Sequence, residues 1–337
     1  MRKLAPAFVL AFGLLQVPAM AQEVNLYSYR QEGLMRPLLD AFTQKTKIKV
    51  NLVTGGEDAL IERLKAEGAA SPADLMMTAD AGRLIRAKEL GLFQPVKSPA
   101  IEETVPSQLR DPEGYWTALS VRARPIMYAV DRVKPSDLST YEDLANAKWK
   151  GKICVRSSSH IYNQSLLSAM IEAVGPAKAE AWAKGVAGNL GRKPQGGDRD
   201  QLKAAVAGEC DVALVNTYYL AGMLASKDPA DLEVAAKIKV FWPNQGDRGA
   251  HVNISGVGVT KSAKNVPQAV ALIEFLLSDE AQKIYTDVVG EFPVKPGIAR
   301  SAAVASFGPF KAETIPLASL AKHNAEAVRI FDRVDWR

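Results

Sequence analysis

The sequence has few of the residues on which most metal sites and many enzymes depend. Its 337 residues include only two cysteines and three histidines. Neither cysteine belongs to a Cys-x-x-Cys pair or lies near a histidine cluster, so a zinc-type site is not expected. Gly-x-Ser-x-Gly, His-Glu-x-x-His and glycine-rich phosphate loops are also missing, and a hydrolase or transferase is therefore a weak alternative.

Long hydrophobic runs are missing after the first twenty or so positions. The chain begins Met1-Arg2-Lys3, continues with an apolar stretch around 8–15 and reaches Ala19-Met20-Ala21. This order is typical of a secretory signal peptide, residues 1–21, that is cleaved after Ala21. No later segment approaches the roughly 20 apolar residues that a transmembrane helix needs.

The sequence also has no dense cluster of positive charge. The formal net charge is +5, and removal of Arg2 and Lys3 with the signal peptide leaves 5 − 2 = +3. These charges are spread along the chain without interleaved aromatic residues. Nucleic acid is therefore not an expected partner.

The two cysteines, Cys154 and Cys210, each lie near a predicted strand. An exported protein meets an oxidising compartment, so a disulfide between them is one interpretation. Two buried free thiols are the other, and the spacing alone does not decide between them.

Hydrophobic periodicity predicts alternating strands and helices in two successive regions. The first region begins strand, helix, strand, helix, strand over 24–90, which favours a parallel sheet covered on both faces. The second repeats an α/β pattern over 153–226. Strands at 115–121, 125–130, 237–242 and 255–260 are predicted to pass between the regions, and helices at 266–277, 279–288 and 317–332 to close the fold.

The mature chain, residues 22–337, is too long for one hydrophobic core and predicts two α/β lobes. The first lobe is assigned residues 22–124 plus about 248–300. The second is assigned residues 125–247 plus about 301–337. More than one crossing strand makes this a hinged architecture, with a cleft where strand ends and helix starts meet.

Three tyrosines fall at predicted strand-to-helix passages beside that cleft. Tyr218 and Tyr219 follow the strand 210–215, and Tyr162 lies in Arg156-Ser-Ser-Ser-His-Ile-Tyr-Asn. Three phenolate oxygens are hard ligands that would neutralise a trivalent cation, Fe³⁺ above all. The alternative is that these tyrosines only fill the seam between the lobes.

Four segments resemble the periplasmic ferric-iron-binding proteins of bacterial iron transporters. They are Tyr27-Ser-Tyr-Arg-Gln, the segment from Arg156 to Ser165, Asn216-Thr-Tyr-Tyr and Arg248-Gly-Ala-His-Val-Asn-Ile-Ser-Gly. The resemblance implies a type II periplasmic-binding-protein fold, α/β in class, with a mixed, mainly parallel sheet flanked by helices in each lobe. It also implies a periplasmic monomer that is not an enzyme and docks on an inner-membrane ABC permease with a cytoplasmic ATPase.

The resemblance further implies that Tyr162, Tyr218 and Tyr219 are iron ligands. Relatives with a fourth tyrosine ligand carry His-Tyr where this chain has Gln31 and Glu32. First-lobe ligands therefore stay open between Tyr29 and Glu32, and Fe²⁺ remains an alternative to Fe³⁺.

Some relatives complete the metal shell with a bound anion such as carbonate. Arg30, Arg122 and Arg124 are the candidates to hold it, because a guanidinium fork matches a planar oxyanion. His160, two residues before Tyr162, is assigned to the surroundings of the ligands. Each arginine could equally form a salt bridge.

Other polar residues are interpreted as structural. His251 is expected to be a hydrogen-bonded histidine, His323 a surface residue, and Asp74 and Asp80 cap or turn residues. The same fold with an anion, a polyamine or a sugar as its ligand remains the main alternative function. A cleft hydrolase using Ser157 is the weaker one.

Overall fold

Two separate β-sheets organise residues 22–336, the part of the chain that the computed structural model describes. The predicted signal peptide lies outside these residues. None of the helices between residues 22 and 336 combines the length and apolar character that a membrane crossing requires.

The strands are short, and most are buried along one or both faces. In chain order they are β1 (Glu23–Ser28), β2 (Lys49–Thr54), β3 (Leu75–Thr78), β4 (Phe93–Gln94), β5 (Thr117–Ala123), β6 (Ile126–Ala129), β7 (Ile153–Cys154), β8 (Val212–Leu214), β9 (Ile238–Phe241), β10 (Val252–Thr260) and β11 (Phe292–Pro293).

The helices connect these strands and cover the sheets. They are α1 (Glu32–Thr46), α2 (Glu57–Glu67), α3 (Ala81–Glu89), α4 (Pro99–Thr104), α5 (Ile161–Val174), α6 (Pro176–Gly188), α7 (Asp198–Val206), α8 (Thr217–Leu224), α9 (Pro229–Ala236), α10 (Val266–Leu276), α11 (Asp279–Ile284), α12 (Ala302–Ala305), α13 (Ala318–Lys322) and α14 (Asn324–Arg333). A π-helix, Tyr285–Val289, continues from α11.

The first sheet has the strand order β11-β5-β10-β3-β1-β2, with β4 beside β10. Strands β1, β2 and β3 pair in parallel, as the strand–helix alternation predicts. Strand β10 pairs antiparallel with β3, β4 and β5, and β11 pairs antiparallel with β5. The sheet is mixed as predicted.

The prediction of mainly parallel pairing holds only for those strands of each sheet that are connected by helical crossovers. The strands that return from the second lobe enter it in the opposite direction, which makes their pairing antiparallel. The second sheet has the order β7-β8-β6-β9. Within it β7 and β8 are parallel, whereas β6 pairs antiparallel with β8 and β9.

The chain crosses between the sheets where β5 leads into β6 and where β9 leads into β10. The two crossings are joined by hydrogen bonds: the Arg124 N–H donates to the His251 carbonyl at 3.0 Å. The Tyr141 hydroxyl donates to the Arg124 carbonyl at 2.7 Å and accepts from the His251 N–H at 3.0 Å. These two crossing segments therefore form one connected hinge.

Separate hydrophobic cores lie behind the two sheets, which fits the two-lobe fold. Near the C-terminus the chain divides between them: Leu317 and Leu320 join the core of the first sheet, whereas Ile330 and Phe331 join that of the second. Helix α13 contacts both α3 and α5. The assignment of all of 301–337 to the second lobe is thus too simple for α13, and the other lobe boundaries stay a proposal.

Candidate metal centre

Tyr162 lies in the first turn of α5 and is almost completely buried, with 2% of its surface exposed. The serines that precede it make a turn in which Ser157 and Ser159 bond to each other. His160 caps the helix, because its Nδ1 accepts the N–H of Tyr162 at 3.3 Å. The phenol is thereby placed at the positive end of the helix.

Tyr218 and Tyr219 occupy the first turn of α8, directly after the end of β8 and Asn216. The side chains of neighbouring residues point to opposite faces of a strand, whereas in the first turn of a helix the angle between them is smaller. Their ring centroids lie 4.3 Å apart at an interplanar angle of 32°. Both phenols are therefore presented on one side of the helix start.

The phenol oxygens of three tyrosines meet at the boundary between the lobes. The hydroxyl of Tyr162 lies 2.9 Å from that of Tyr218 and 3.3 Å from that of Tyr29. Tyr29 follows β1 of the first sheet, so this cluster is shared by both lobes. Within residues 22–336, no group of three histidine, cysteine, aspartate or glutamate side chains offers another metal site.

The phenols at α8 are strongly biased toward the neutral form in the absence of a cation. Burial, together with the neighbouring phenols of Tyr162 and Tyr219, holds the pKa of Tyr218 well above its usual range. Burial and the carboxylate of Asp198 likewise raise the pKa of Tyr219. A ligand with high positive charge is needed to remove these protons.

Four guanidinium groups surround the tyrosine cluster. The ring centroid of Tyr162 lies 5.0 Å from Arg122, 5.5 Å from Arg156 and 5.9 Å from Arg124. Arg30 lies 5.9 Å from the ring centroid of Tyr218. Positive charge at this distance favours the anionic form of a phenol.

Asp198 is the counterion of two of these arginines and is fully buried. Its carboxylate accepts hydrogen bonds from Arg124 at 2.8 Å and from Arg156 at 2.7 Å. Although burial raises the pKa of Asp198, the two guanidinium charges hold it below its usual range. Arg124 also donates to the side chains of Asn163, at 2.9 Å, and Asn216, at 3.0 Å. The network fastens the segments that carry all three second-lobe tyrosines.

Arg30 is anchored from the other side of the cluster. It forms a buried ion pair with Glu291 and donates to the Ser255 hydroxyl at 2.6 Å. Burial raises the pKa of Glu291, but Arg30 and Arg122 hold it below its usual range. Arg122 donates to the Ile254 carbonyl at 2.6 Å, and its distance to Asp80 is 3.5 Å. All three arginines proposed for anion binding thus already have a carboxylate partner.

His160 remains uncharged beside the cluster. Its ring centroid lies 4.3 Å from that of Tyr162 in an edge-on arrangement. Burial, reinforced by the charge of Arg156, lowers its pKa to about 3. The imidazole is therefore neutral at any physiological pH.

The structure does not bring Glu32 into the cluster. Glu32 is exposed in the first turn of α1 and pairs with Arg36 one turn later. No hydrogen bond among the described residues joins it to a tyrosine. Of the two first-lobe candidates, Tyr29 is the one that lies against Tyr162.

The aspartates interpreted as structural have that role. Asp80 caps α3 by accepting the Gly82 N–H at 2.8 Å, and it also accepts the Ser165 hydroxyl of α5 at 2.8 Å. This second bond is a direct contact between the lobes. Asp74 accepts the backbone N–H groups of Lys264 and Asn265, both at 2.9 Å, and so fixes the approach to α10.

The two remaining histidines differ in how well they were predicted. His251 is a structural histidine as expected, with its Nδ1 bonded to buried Glu313. The prediction that His323 is a surface residue is wrong, because the side chain is half-buried and its Nε2 lies 2.5 Å from Glu172. That pair joins the end of α13 to α5.

The cysteines form a disulfide, Cys154–Cys210, with a sequence separation of 56 and a Cα–Cα distance of 5.7 Å. The interpretation as free thiols is therefore wrong. Cys154 ends β7, which leads to Tyr162, and Cys210 precedes β8, which leads to Tyr218. The bridge holds together the two strands from which the second-lobe tyrosines extend.

Sequence reasoning missed most of the charged network beneath the tyrosines. Arg156 was part of a recognised motif without an assigned role, and Asp198 and Asn163 were not singled out. An aspartate after Gly196-Gly197 is indistinguishable from a helix cap in the sequence. Only the fold shows that it faces two arginines.

Three comparisons place the chain among known proteins. The sequence profile of the bacterial extracellular solute-binding protein family matches residues 70–307. Iron uptake protein A1 of Synechocystis sp. is 48% identical over 95% of this chain and 89% of its own length. The Fe(3+)-binding periplasmic protein of Serratia marcescens is 30% identical over 96% of this chain and 93% of its own length. The solved Trichodesmium protein IdiA (FutA), in complex with iron and citrate, superimposes with a TM-score of 0.90 at 50% identity, covering 94% of this chain and all of that one.

Proposed function

Because the chain belongs to the family of bacterial extracellular solute-binding proteins, we propose that it is a periplasmic protein that binds Fe³⁺ for uptake. The Synechocystis and Serratia relatives described above bear names of iron uptake and ferric-iron binding. The observation that best supports the proposal is the meeting of the phenol oxygens of Tyr29, Tyr162 and Tyr218 between the lobes. A cluster of phenol oxygens that both lobes share is suited to a hard, highly charged cation.

The proposed main ligands are the phenolate oxygens of Tyr162, Tyr218 and Tyr219. Three phenolates neutralise the three charges of Fe³⁺, which makes burial of the ion tolerable. The guanidinium groups near the rings favour the anionic form of the phenols. Fe²⁺ brings less charge to displace the phenol protons and is the less favoured oxidation state.

Tyr29 is proposed as the first-lobe ligand, and a small anion as the group that completes the shell. A carbonate from solution is one such anion, and the Trichodesmium relative was solved with citrate. Arg122 is the arginine that we propose to face the anion, because its carboxylate partner, Asp80, is the most distant at 3.5 Å. Arg30 is held by Glu291 and Arg124 by Asp198. We propose that these two arginines balance the negative charge of the phenolates and do not contact the anion.

The proposed mechanism is capture followed by closure. In an open form, the second lobe offers Tyr162, Tyr218 and Tyr219 to the incoming ion. Closure then adds Tyr29 and the hydrogen bond between Asp80 and Ser165. Iron favours the closed form only to the extent that it binds that form more tightly, and the shared tyrosine cluster supplies such a difference.

The closed protein is proposed to deliver its iron to an inner-membrane ABC permease driven by a cytoplasmic ATPase. Family membership supports this partner, because solute-binding proteins serve such transporters. Export is proposed to follow cleavage after Ala21. N-terminal sequencing of the protein from a periplasmic fraction tests that position, and a start elsewhere than Gln22 would reject it.

The deciding experiment is an absorbance titration of iron-stripped protein. Ferric iron added in air, with and without bicarbonate, should produce a visible tyrosinate-to-Fe³⁺ charge-transfer band that saturates at one equivalent. An anaerobic ferrous titration forms the second arm. Failure to retain iron of either oxidation state after desalting would exclude the proposed function.

A further inference from the structure

A small cavity lies beside Tyr162 at the hinge between the lobes. Arg122 and Arg124 border it at the end of β5, His251 and Asn253 border it at the start of β10, and Asn216 borders it ahead of α8. Its volume of about 10 Å³ leaves room for a single particle of about the size of a water molecule. It is too small for an oxyanion such as carbonate or phosphate.

Two buried hydrogen-bond donors that border this cavity have no partner among the described residues. They are the Nε of Arg124 and the Nδ2 of Asn216. Each residue is only 2% exposed, so bulk water does not satisfy these donors. Leaving buried donors unpaired is costly, and both therefore call for an acceptor in the cavity.

Both amide oxygens that border the cavity already accept hydrogen bonds. The Oδ1 of Asn216 accepts from Arg124 at 3.0 Å. The Oδ1 of Asn253 accepts the N–H groups of Ala81, at 3.0 Å, and Ile254, at 2.8 Å. A water molecule would have two protons to place there, whereas an anion has none.

The charges near the cavity also favour an anion. Arg124 and Arg156 share the single carboxylate of Asp198, and Arg122 has Asp80 at 3.5 Å. Three guanidinium groups therefore face two carboxylates, an excess of one positive charge. The next carboxylate, that of Glu313, is bonded to the His251 ring instead.

We propose that this cavity binds one monatomic anion, with chloride as its natural occupant, between the Nε of Arg124 and the Nδ2 of Asn216. This site is separate from any anion in the metal shell and exists in iron-free protein. Because it joins the ends of both hinge crossings to the segment that precedes α8, the bound anion stabilises the arrangement of lobes seen here.

The test uses the iron-free full-length mature protein. Its melting temperature is measured in increasing sodium chloride or sodium bromide, with sodium gluconate replacing the halide so that ionic strength stays constant. We expect a saturable rise in melting temperature with either halide. Crystals grown in bromide should show one anomalous-scattering peak within hydrogen-bonding distance of both donors.

Asn216→Asp is the informative variant, because it places a fixed carboxylate oxygen where the donor now lies and retains the acceptor for Arg124. Its melting temperature should no longer depend on halide. Gln44→Glu, at an exposed position on α1, adds the same charge away from the cavity and should keep the full dependence. If Asn216→Asp fails to fold, the bromide peak in the unaltered protein decides alone.

Three outcomes would overturn the proposal. Equal melting temperatures in halide and gluconate would show that no halide is bound. Density without anomalous signal between Arg124 and Asn216 would identify a water molecule. A halide effect that appears only after iron is added would assign the anion to the metal shell instead.

Discussion

The phenol oxygens of Tyr162 and Tyr218 lie 2.9 Å apart although 56 residues separate them in the chain. At that distance one hydroxyl donates its proton to the other, so the pair cannot be fully ionised without a cation. Both phenols stand at helix starts, where positive partial charge supports an anion. The pair is the proposed binding position for a metal that can displace its protons.

Replacing a phenol with a phenyl ring should therefore remove a ligand and leave the fold intact. Tyr162→Phe, Tyr218→Phe and Tyr219→Phe are each expected to weaken Fe³⁺ binding by roughly 100-fold or more, since even residues around metal ligands contribute 10–100-fold. Competition with a chelator of known affinity measures the change. Tyr128→Phe, a buried tyrosine on β6, is the matched control, and equal affinities in all four variants would refute the assignment.

Iron binding should also release protons in a countable number. The raised pKa values of Tyr218 and Tyr219 mean that both phenols are neutral at pH 7 before iron arrives. We expect about four protons per Fe³⁺ at that pH, one from each proposed tyrosine ligand, measured with an indicator dye after correction for the iron complex supplied. Tyr218→Phe should release about one fewer; an unchanged count would show that its phenol is not a ligand.

Tyr29→Phe should reveal what the first lobe contributes. The Tyr29 hydroxyl lies 3.3 Å from that of Tyr162, so its loss removes both a proposed ligand and a contact between lobes. We expect a weaker charge-transfer band, and a larger radius of gyration of the iron-loaded protein by small-angle X-ray scattering. Tyr27→Phe serves as control, because the Tyr27 hydroxyl bonds to Glu67 elsewhere in the first lobe. An unaltered band would exclude Tyr29 as a ligand.

Asp198→Asn should destabilise the protein, because it leaves Arg124 and Arg156 buried without their carboxylate. Breaking a buried ion pair typically costs about 3–5 kcal/mol, which urea denaturation at pH 7 would detect. The pKa of Asp198 is lowered in the folded protein, so its stabilisation is present above the unfolded pKa and is lost as pH falls through the folded one. The difference between variant and parent should thus shrink below about pH 4.

The control for Asp198→Asn is Asp287→Asn, which removes an exposed pair with Lys283. Exposed pairs contribute about 0–1 kcal/mol, so little change is expected. A loss of stability as large as that of Asp198→Asn would show that net charge, and not the buried network, accounts for the effect.

Replacing both Cys154 and Cys210 with alanine should lower stability at equilibrium. The bridge spans 56 residues of sequence, and a loop of that size is expected to contribute about 4 kcal/mol in the chain-entropy model. Denaturation with and without a reductant measures this directly. Reductant should leave the double variant unchanged, and equal stability of parent and variant would contradict the prediction.

The sequence predicts the parts of the fold that depend on local patterns. The alternation of strands and helices from 24 to 90 gave β1–β3 with the correct parallel pairing, because crossover handedness follows from chain geometry. The antiparallel entry of β10 was not predictable, since its partners β3 and β5 lie more than a hundred residues away. The single terminal helix predicted over 317–332 is divided at His323, where bonding to Glu172 and packing against two lobes outweigh helical periodicity.

The residues of the candidate site also differ in how far the sequence predicts them. Tyr162, Tyr218 and Tyr219 were found from their positions at strand-to-helix passages and from resemblance, and the structure brings them to one boundary. The sequence does not decide between Tyr29 and Glu32 as the first-lobe ligand, because both follow β1 and only the orientation of α1 distinguishes them. Asp198 gave no signal, since a carboxylate that neutralises distant arginines looks like any helix-capping residue.

The disulfide determines in which compartment the proposed binding site is completed. Thiols stay reduced in a bacterial cytosol, so the precursor leaving the ribosome has Tyr162 and Tyr218 on segments joined only by noncovalent contacts. In the exported protein that we propose, oxidation after translocation joins those segments covalently, in the same compartment as the proposed iron binding. Any gain in metal affinity that the disulfide provides is therefore absent from a newly made chain that is still inside the cell.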